Sequence, residues 1–267
     1  MAPWVLRIER GGCCSRARNL RVLDVSPWPG LTLEHPVPGG HRNEVWTAQS
    51  PSGRVAVRQS RRSPESLAWE LDLLADLERA GFLVASTVPT EDGARSVGGV
   101  VVQRWIDGRE PESVSDWELV ASELRRLHTL FVGRAQRPGC CVAYELRRSS
   151  RSVDADVGAL PAELAAEILE VFVGLQGGFV SVVHGDPGPS NLRITSNGRV
   201  GLLDWDESRV DVVDFDLANL GIQVLDRDGH DRALLAADAW ETVNAWVVEP
   251  EYARERLSSL RRRNEAR

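Results

Sequence analysis

His184-Gly185-Asp186-Pro187-Gly188-Pro189-Ser190-Asn191, followed by Leu202-Leu203-Asp204-Trp205-Asp206 and Asp214-Phe215-Asp216-Leu217-Ala218, is the densest polar cluster in an otherwise apolar part of the chain. Short alternating stretches flank its turns, and residues 179–183, 191–194 and 200–203 read as strands. A hairpin joining the last two would set Asn191 and Asp204 side by side at one end of a sheet. A carboxylate beside an amide oxygen is a hard-oxygen site, suited to a Mg²⁺ ion that keeps water and phosphate ligands. Asp186, on the loop just upstream, would then face the group that receives the phosphate. Pro187-Gly188-Pro189 stiffens that loop, which suits chemistry that is mostly positioning and charge stabilisation.

Upstream, residues 31–33, 44–48 and 54–58 alternate like strands, with Pro51-Ser52-Gly53 as a turn. Ser63 and Pro64 are the cap and first residue of a helix that Gly81 ends, with Leu67, Leu71, Leu74 and Leu77 at helical spacing. Residues 97–106 form another strand, closed by Asp107-Gly108. Beyond them helices dominate. Ser115-Asp116-Trp117-Glu118 reads as a capping box opening a helix to about Phe131. Residues 133–160 read as a polar loop or short-helix insertion, and residues 161–175 are helical. Two or three closing helices put Trp240, Val243 and Trp246 on one face, ahead of a solvated basic tail, Arg261-Arg262-Arg263. The expected organisation is α+β: an irregular extension over residues 1–30, a strand-rich lobe over 31–105 and a mainly helical lobe over 106–267.

Composition narrows the chemistry. All 32 basic residues among the 267 are arginine. That excludes a Schiff-base lysine, a lysine general base and a GxxxxGK(S/T) phosphate loop. A net charge of −7 argues against a nucleic-acid partner and is compatible with a cationic or neutral small molecule. Cys13-Cys14 and Cys140-Cys141 lack CxxC spacing and read as reduced thiols. No apolar run suits a membrane helix or a signal peptide, so a cytoplasmic location is expected.

The joint pattern at residues 184–218 resembles the aminoglycoside phosphotransferase family, whose members share a two-lobed protein-kinase-like fold. The resemblance extends from about residue 31 to about residue 260. It implies that Asp186 is the catalytic aspartate, orienting the acceptor hydroxyl and taking its proton. It implies that Asn191 and Asp204 hold Mg²⁺, and that Asp216 braces the catalytic loop. Arg58, in Val55-Ala56-Val57-Arg58, stands where the family's strand lysine stands, with Glu70 as its helix-borne partner. Arginine is a bulkier, planar donor there. Gly39 and Gly40 lie in the loop that would cover the nucleotide phosphates, and Gln103 and Trp105 in the hinge that would hold the adenine.

Each residue also has a plainer reading. Arg58 and Glu70 would serve as an ordinary surface pair, and Asp206 and Glu207 as a solvated turn rather than part of a metal site. His184 and His128 read as structural. Trp105 either borders the adenine or fills the hinge, and Trp205 is core under the metal turn. Trp240, Trp246 and Tyr252 are core at helical spacing, or stack on a substrate. Asp226, Asp228, Asp231 and Glu241 either attract a cationic acceptor or form a solvated face. The resemblance implies a Mg²⁺-dependent kinase moving the γ-phosphoryl of ATP or GTP to a hydroxyl of an antibiotic, aminoglycoside-like or related, in resistance or self-protection. A metabolic kinase of an endogenous alcohol, sugar or nucleoside is the second reading. A nucleotide-binding pseudokinase without turnover is the third.

Overall fold

Alternation along the first strands builds one antiparallel sheet. In the computed structural model, which describes residues 23–37, 44–218 and 220–266, β1 (Thr32–Pro36), β2 (Glu44–Ser50), β3 (Gly53–Gln59) and β5 (Val100–Arg104) pair in the order β1-β2-β3-β5. The period of two sends Val55 and Val57 to one face, where they pack with Ala48, Val100 and Val102, and turns Arg58 to the other. Leu23 and Trp28 complete the first face, and the Trp28 indole donates to the Val88 carbonyl at 2.8 Å. Residues 23–30 are therefore tied to this lobe through Leu23 and Trp28 and are not a free extension. A single large aromatic plugs the sheet face without any periodic signal. Residues 1–22, with Cys13 and Cys14, and the loop with Gly39 and Gly40, lie outside the described residues.

Helix α1 (Pro64–Arg79) begins where expected, with the Ser63 hydroxyl accepting from the Ser66 amide at 3.2 Å. Its buried stripe contains Leu67, Leu71, Leu74 and Leu77, and also Glu70. β4 (Leu83–Val84) leads towards β5, which starts later than the sequence suggests because Gly98 and Gly99 adopt positive φ in a turn. The cap of helix α2 (Val114–Leu130) lies two residues before the expected one. Ser113 is the cap and Asp116 its reciprocal partner, with the Asp116 amide donating to Ser113 Oγ at 3.1 Å and the Ser113 amide to Asp116 Oδ2 at 3.0 Å. Ser115 sits inside the first turn. Arg109 grips the Asp116 carboxylate with two donors, which fixes the register.

The stretch expected as a polar insertion is half interior. Val142, Ala143, Ala155, Val157 and Leu160, with Leu146 of α3 (Leu146–Ser149), pack against Leu164, Ile168 and Phe172 of α4 (Ala162–Val173). Cys140 and Cys141 are free thiols here. The chain then forms β6 (Val180–Val183), the hairpin of β7 (Leu192–Ile194) and β8 (Val200–Leu202), β9 (Arg209–Val212) and α5 (Asp214–Ala218). β6 pairs antiparallel with β9, and β8 lies between β7 and a parallel β4. One apolar core runs across the join, combining Leu67, Leu71 and Leu74 with Leu124, Leu192, Leu202 and Trp205. The strand-rich and helical regions thus share an interior at the place where the site assembles.

Helices α6 (Arg227–Ala245) and α7 (Pro250–Glu265) close the structure. The expected solvated tail is partly engaged. Arg263 donates to Asp238 at 2.9 Å, Arg256 pairs with the same carboxylate, and Arg261 pairs with Glu167 at 2.8 Å. Among the described residues no helix is long and apolar enough to cross a membrane.

Candidate active site

Strand β6 delivers His184 into the interior, where its ring stacks on Trp205 at 4.7 Å between centroids. His184 Nε2 lies 2.7 Å from the Leu203 carbonyl. A carbonyl only accepts, so Nε2 carries the proton and Nδ1 accepts the Asp186 amide at 3.4 Å. Gly185 adopts φ +94°, and a Cβ there would sit 2.5 Å from the Glu207 carbonyl oxygen. Gly185→Ala is accordingly expected to destabilise the fold by at least about 1–2 kcal/mol, the cost of a left-handed L-residue. Thermal melts would show it, and an unchanged melting temperature would contradict the tight turn.

Asp216, on α5, braces this loop. Its carboxylate accepts the amides of His184 (2.7 Å) and Gly185 (2.9 Å), and His128 Nε2 from α2 lies 2.9 Å away. Burial alone would raise its pKa, but the His128 contact and the amide donors outweigh that and hold it below the ordinary 3.8. A group whose folded pKa is depressed contributes stability that is present above its unfolded value and lost as pH falls through the folded one. Stability should therefore fall as pH drops below about 4. The acid limb of melting temperature against pH should be shallower in Asp216→Asn, and limbs of equal slope would refute the assignment.

Asp186 projects from the loop as an exposed side chain. Asn191 Nδ2 donates to its carbonyl (3.0 Å) and to Oδ2 (2.9 Å), which leaves Asn191 Oδ1 without a hydrogen bond among the described residues. The Leu203 amide donates to the Asn191 carbonyl at 2.8 Å, and Leu192 faces Leu202 across the hairpin. That register brings Asn191 beside the start of the next turn, where Asp204 takes a left-handed φ of 52°. Asp204 is exposed to solvent at the start of that turn. Loss of hydration there raises its carboxyl above the ordinary value, against the pull of Arg58. No hydrogen bond reaches the Asp204 carboxylate among the described residues. An unsatisfied carboxylate, a free amide oxygen and a nearby second carboxylate form a donor set of hard oxygens that fits a divalent cation. Groups of three or more His, Cys, Asp or Glu side chains placed to hold a metal are absent among the described residues, so such an ion would keep other ligands.

Behind Asp204 lies a buried charge network. Arg58 pairs with Glu70, and its Nη1 is 3.3 Å from Asp206 Oδ1. Arg58 is 4% and Glu70 0% exposed, so this is no surface pair. Asp206 is likewise no solvated turn. It is buried, and Arg62 reaches its carboxylate at 2.9 Å and its carbonyl at 2.7 Å while binding Asp154 at 2.5 Å. Burial would raise the Asp206 pKa, but Arg62 and Arg58 together hold it below the ordinary value. Arg58 Nε is buried without a hydrogen-bond partner among the described residues, which leaves one donor unfilled.

The remaining candidates are placed as follows. The Gln103 side-chain amide donates to the Ala85 carbonyl at 2.9 Å, and Gln103 is paired within the sheet to Ala56 and bridged to Thr87. It is thus a sheet residue, and of the stretch expected as the hinge residues 105–108 lie outside the ladder. Trp105 is half-buried beneath the Arg54 guanidinium, 3.9 Å from its ring centre. Trp205 and Trp240 are core. Asp226 caps α6, accepting the Gly229 amide at 2.7 Å. Tyr252 is 38% exposed and hydrogen-bonds Glu241. Its phenol is pushed up by burial first, then by the charges of Glu241 and Asp186, against Arg256, which places Tyr252 of α7 within electrostatic reach of Asp186. Sequence reasoning missed Arg62 and Arg137. Neither lies in a periodic segment, and in a chain whose 32 basic residues are all arginine their identity does not set them apart.

The phosphotransferase enzyme family profile matches residues 34–257. Comparison with curated proteins finds no match. The structure is similar to the choline kinase LicA from Streptococcus pneumoniae, with a TM-score of 0.61, 16% identity and coverage of 88% of this chain and 94% of that one. It is also similar to the amicoumacin kinase hAmiN in complex with AMP-PNP, Ca²⁺ and Ami (TM-score 0.57, 15% identity, 89% and 72% coverage). A GDP complex of an aminoglycoside 2'-phosphotransferase of type IIIa matches at TM-score 0.57 and 16% identity, covering 91% of this chain and 93% of that one. At such identities the likeness speaks for the fold.

Proposed function

Because the chain belongs to the phosphotransferase enzyme family, with its two-lobed kinase-like fold, we propose that it moves the γ-phosphoryl group of ATP or GTP to a hydroxyl of a cationic small molecule, an antibiotic of the aminoglycoside type or a relative of one. The observation that carries this reading is the meeting of Asp186, Asn191 and Asp204 at the end of the β7–β8 hairpin, in front of the Arg58–Glu70 pair.

In this reading Asp186 orients the acceptor hydroxyl and takes its proton, which leaves late in a loose transition state. Asn191 and Asp204 would hold Mg²⁺, which supplies neutralisation of the β- and γ-phosphate charge. Arg58, fixed by Glu70 and Asp206, presents positive charge behind that position. The carboxylates of Glu241 and Asp186 both act on the Tyr252 phenol, against Arg256, and such a partly negative acceptor side favours a cationic acceptor. The same surface suits an amino alcohol, which also joins a cation to a hydroxyl, so an endogenous amino alcohol is the second reading.

The test is nucleotide turnover with Mg²⁺-ATP and Mg²⁺-GTP against aminoglycosides, other hydroxylated antibiotics, amino alcohols and sugars. Acceptor-dependent turnover on an aminoglycoside supports the first reading, and on an amino alcohol the second. Nucleotide binding without turnover on any acceptor would count against both and favour a non-catalytic nucleotide binder.

A further inference from the structure

Arg137 lies in the stretch after α2 that reads from sequence as a polar loop, yet it is 1% exposed. Its Nε donates to Ser66 Oγ at 2.8 Å and its Nη2 to Glu70 Oε2 at 2.9 Å. Both acceptors belong to α1. Its Nη1 faces the carbonyls of Asp206 (2.7 Å), Ser208 (3.0 Å) and Trp205 (3.3 Å), the turn that directly follows Asp204. Arg58 occupies the other oxygen of the same Glu70 carboxylate. One rigid fork therefore ties the helix bearing Glu70 to the turn bearing Asp204. A planar guanidinium has donors pointing along separate directions and can serve both at once. A single ammonium, with three donors on one atom, cannot serve all five of these acceptors.

We propose that Arg137 is a positioning residue, locking α1 to the turn after Asp204 so that Arg58, Glu70 and Asp204 are held in one arrangement before nucleotide arrives. Moving α1 away from the hairpin would strand Glu70 and three carbonyls in the interior, where each lost hydrogen bond leaves a desolvated group unsatisfied. The helix is accordingly fixed and does not swing. The proposal rests on the phosphotransferase reading and deepens it, since Arg137 itself touches no substrate.

The test uses the full chain and reads binding rather than turnover. Mn²⁺ and ATP are titrated together by electron paramagnetic resonance and calorimetry into wild type, Arg137→Lys, Arg137→Gln and Ser66→Ala. Ile168→Ala serves as a control, because Ile168 is fully buried in the α4 core away from this turn. Circular dichroism at low temperature selects the variants that fold. The Arg137 variants are expected to bind Mn²⁺-ATP about 10- to 100-fold more weakly, the usual cost of losing a partner behind a metal ligand. Ser66→Ala, which removes one acceptor and leaves the rest of the network, should weaken it about threefold, as expected for one hydrogen bond. Ile168→Ala should lower the melting temperature and leave affinity unchanged. Wild-type affinity in Ser66→Ala and in the folded Arg137 variants, whatever their melting temperatures, would overturn the proposal and make Arg137 a stabilising residue only. Where the wild type prefers GTP the same titrations are run with Mn²⁺-GTP, and its failure to bind either nucleotide would overturn the phosphotransferase reading, and the proposal with it.

Discussion

Asp186→Asn is expected to lower phosphoryl transfer by about 10²–10⁴-fold, the range for losing a positioned proton acceptor, with the melting temperature unchanged. The second half follows from geometry. Asp186 is exposed, and its carboxylate receives one hydrogen bond, from Asn191 Nδ2. An amide oxygen at the same place accepts that bond equally well, so the loop has no reason to move. The first half follows from chemistry. The substituted amide keeps the shape but cannot take the hydroxyl proton, while Asn191, Asp204 and Arg58, the residues proposed to hold metal and nucleotide, are untouched. Initial rates on the acceptor found by the panel, together with nucleotide affinity, separate the two effects. Near wild-type rates would remove Asp186 from the mechanism. Lost nucleotide affinity would show that its role is structural.

The largest stability effect is expected at Glu70. Glu70→Ala should cost about 3–5 kcal/mol, as for breaking a buried ion pair by removing one partner. Its carboxylate is fully buried and shared between Arg58 and Arg137, both at most 4% exposed. Removal leaves Arg58 with only the 3.3 Å contact to Asp206, and strips Arg137 of its acidic partner while adding a cavity in the α1 stripe. For a chain of this size each kcal/mol moves the melting temperature by about 2–4 °C, so the shift is readily measured. Glu70→Gln should be milder, since the amide oxygen still accepts one of the two donors. A change below about 1 kcal/mol in Glu70→Ala, the worth of an exposed pair, would contradict the burial of this network.

Glu70 also illustrates how much of the site could be read in advance. Asp72, Asp76 and Glu78 lie on the same helix. Glu70 falls three residues after Leu67 and four before Leu74, in phase with the apolar stripe, and the structure puts it inside, whereas Glu78, four after Leu74, stays exposed at the helix end. Asp72 and Asp76 face outward to Arg95 and Arg79. The hairpin between Asn191 and Asp204 was equally legible, because two short alternating strands around one polar turn have few other ways to pair.

Other features lacked a local signal. Asp206 looked like a turn residue because its surroundings in sequence are polar. It became a buried hub because arginines from two distant segments, Arg58 of β3 and Arg62 of the loop before α1, converge on it. The α2 cap was misplaced by two residues because Ser113 and Ser115 both offer a hydroxyl, and Arg109 decides between them by gripping Asp116.

By itself the sequence determined the α+β class, the order of strands and helices, the loop that presents Asp186, and which residues could supply hard oxygens. Periodicity and turn chemistry act over a few residues, and those features are local. Tertiary structure alone decided that Trp28 completes the first sheet and that the apolar core runs from α1 into the hairpin. It also decided that Arg137 joins partners 67 to 71 residues away. The physical reason is the burial of charge. A guanidinium leaves water only where enough acceptors converge, and acceptors drawn from separate segments meet only once the chain has folded.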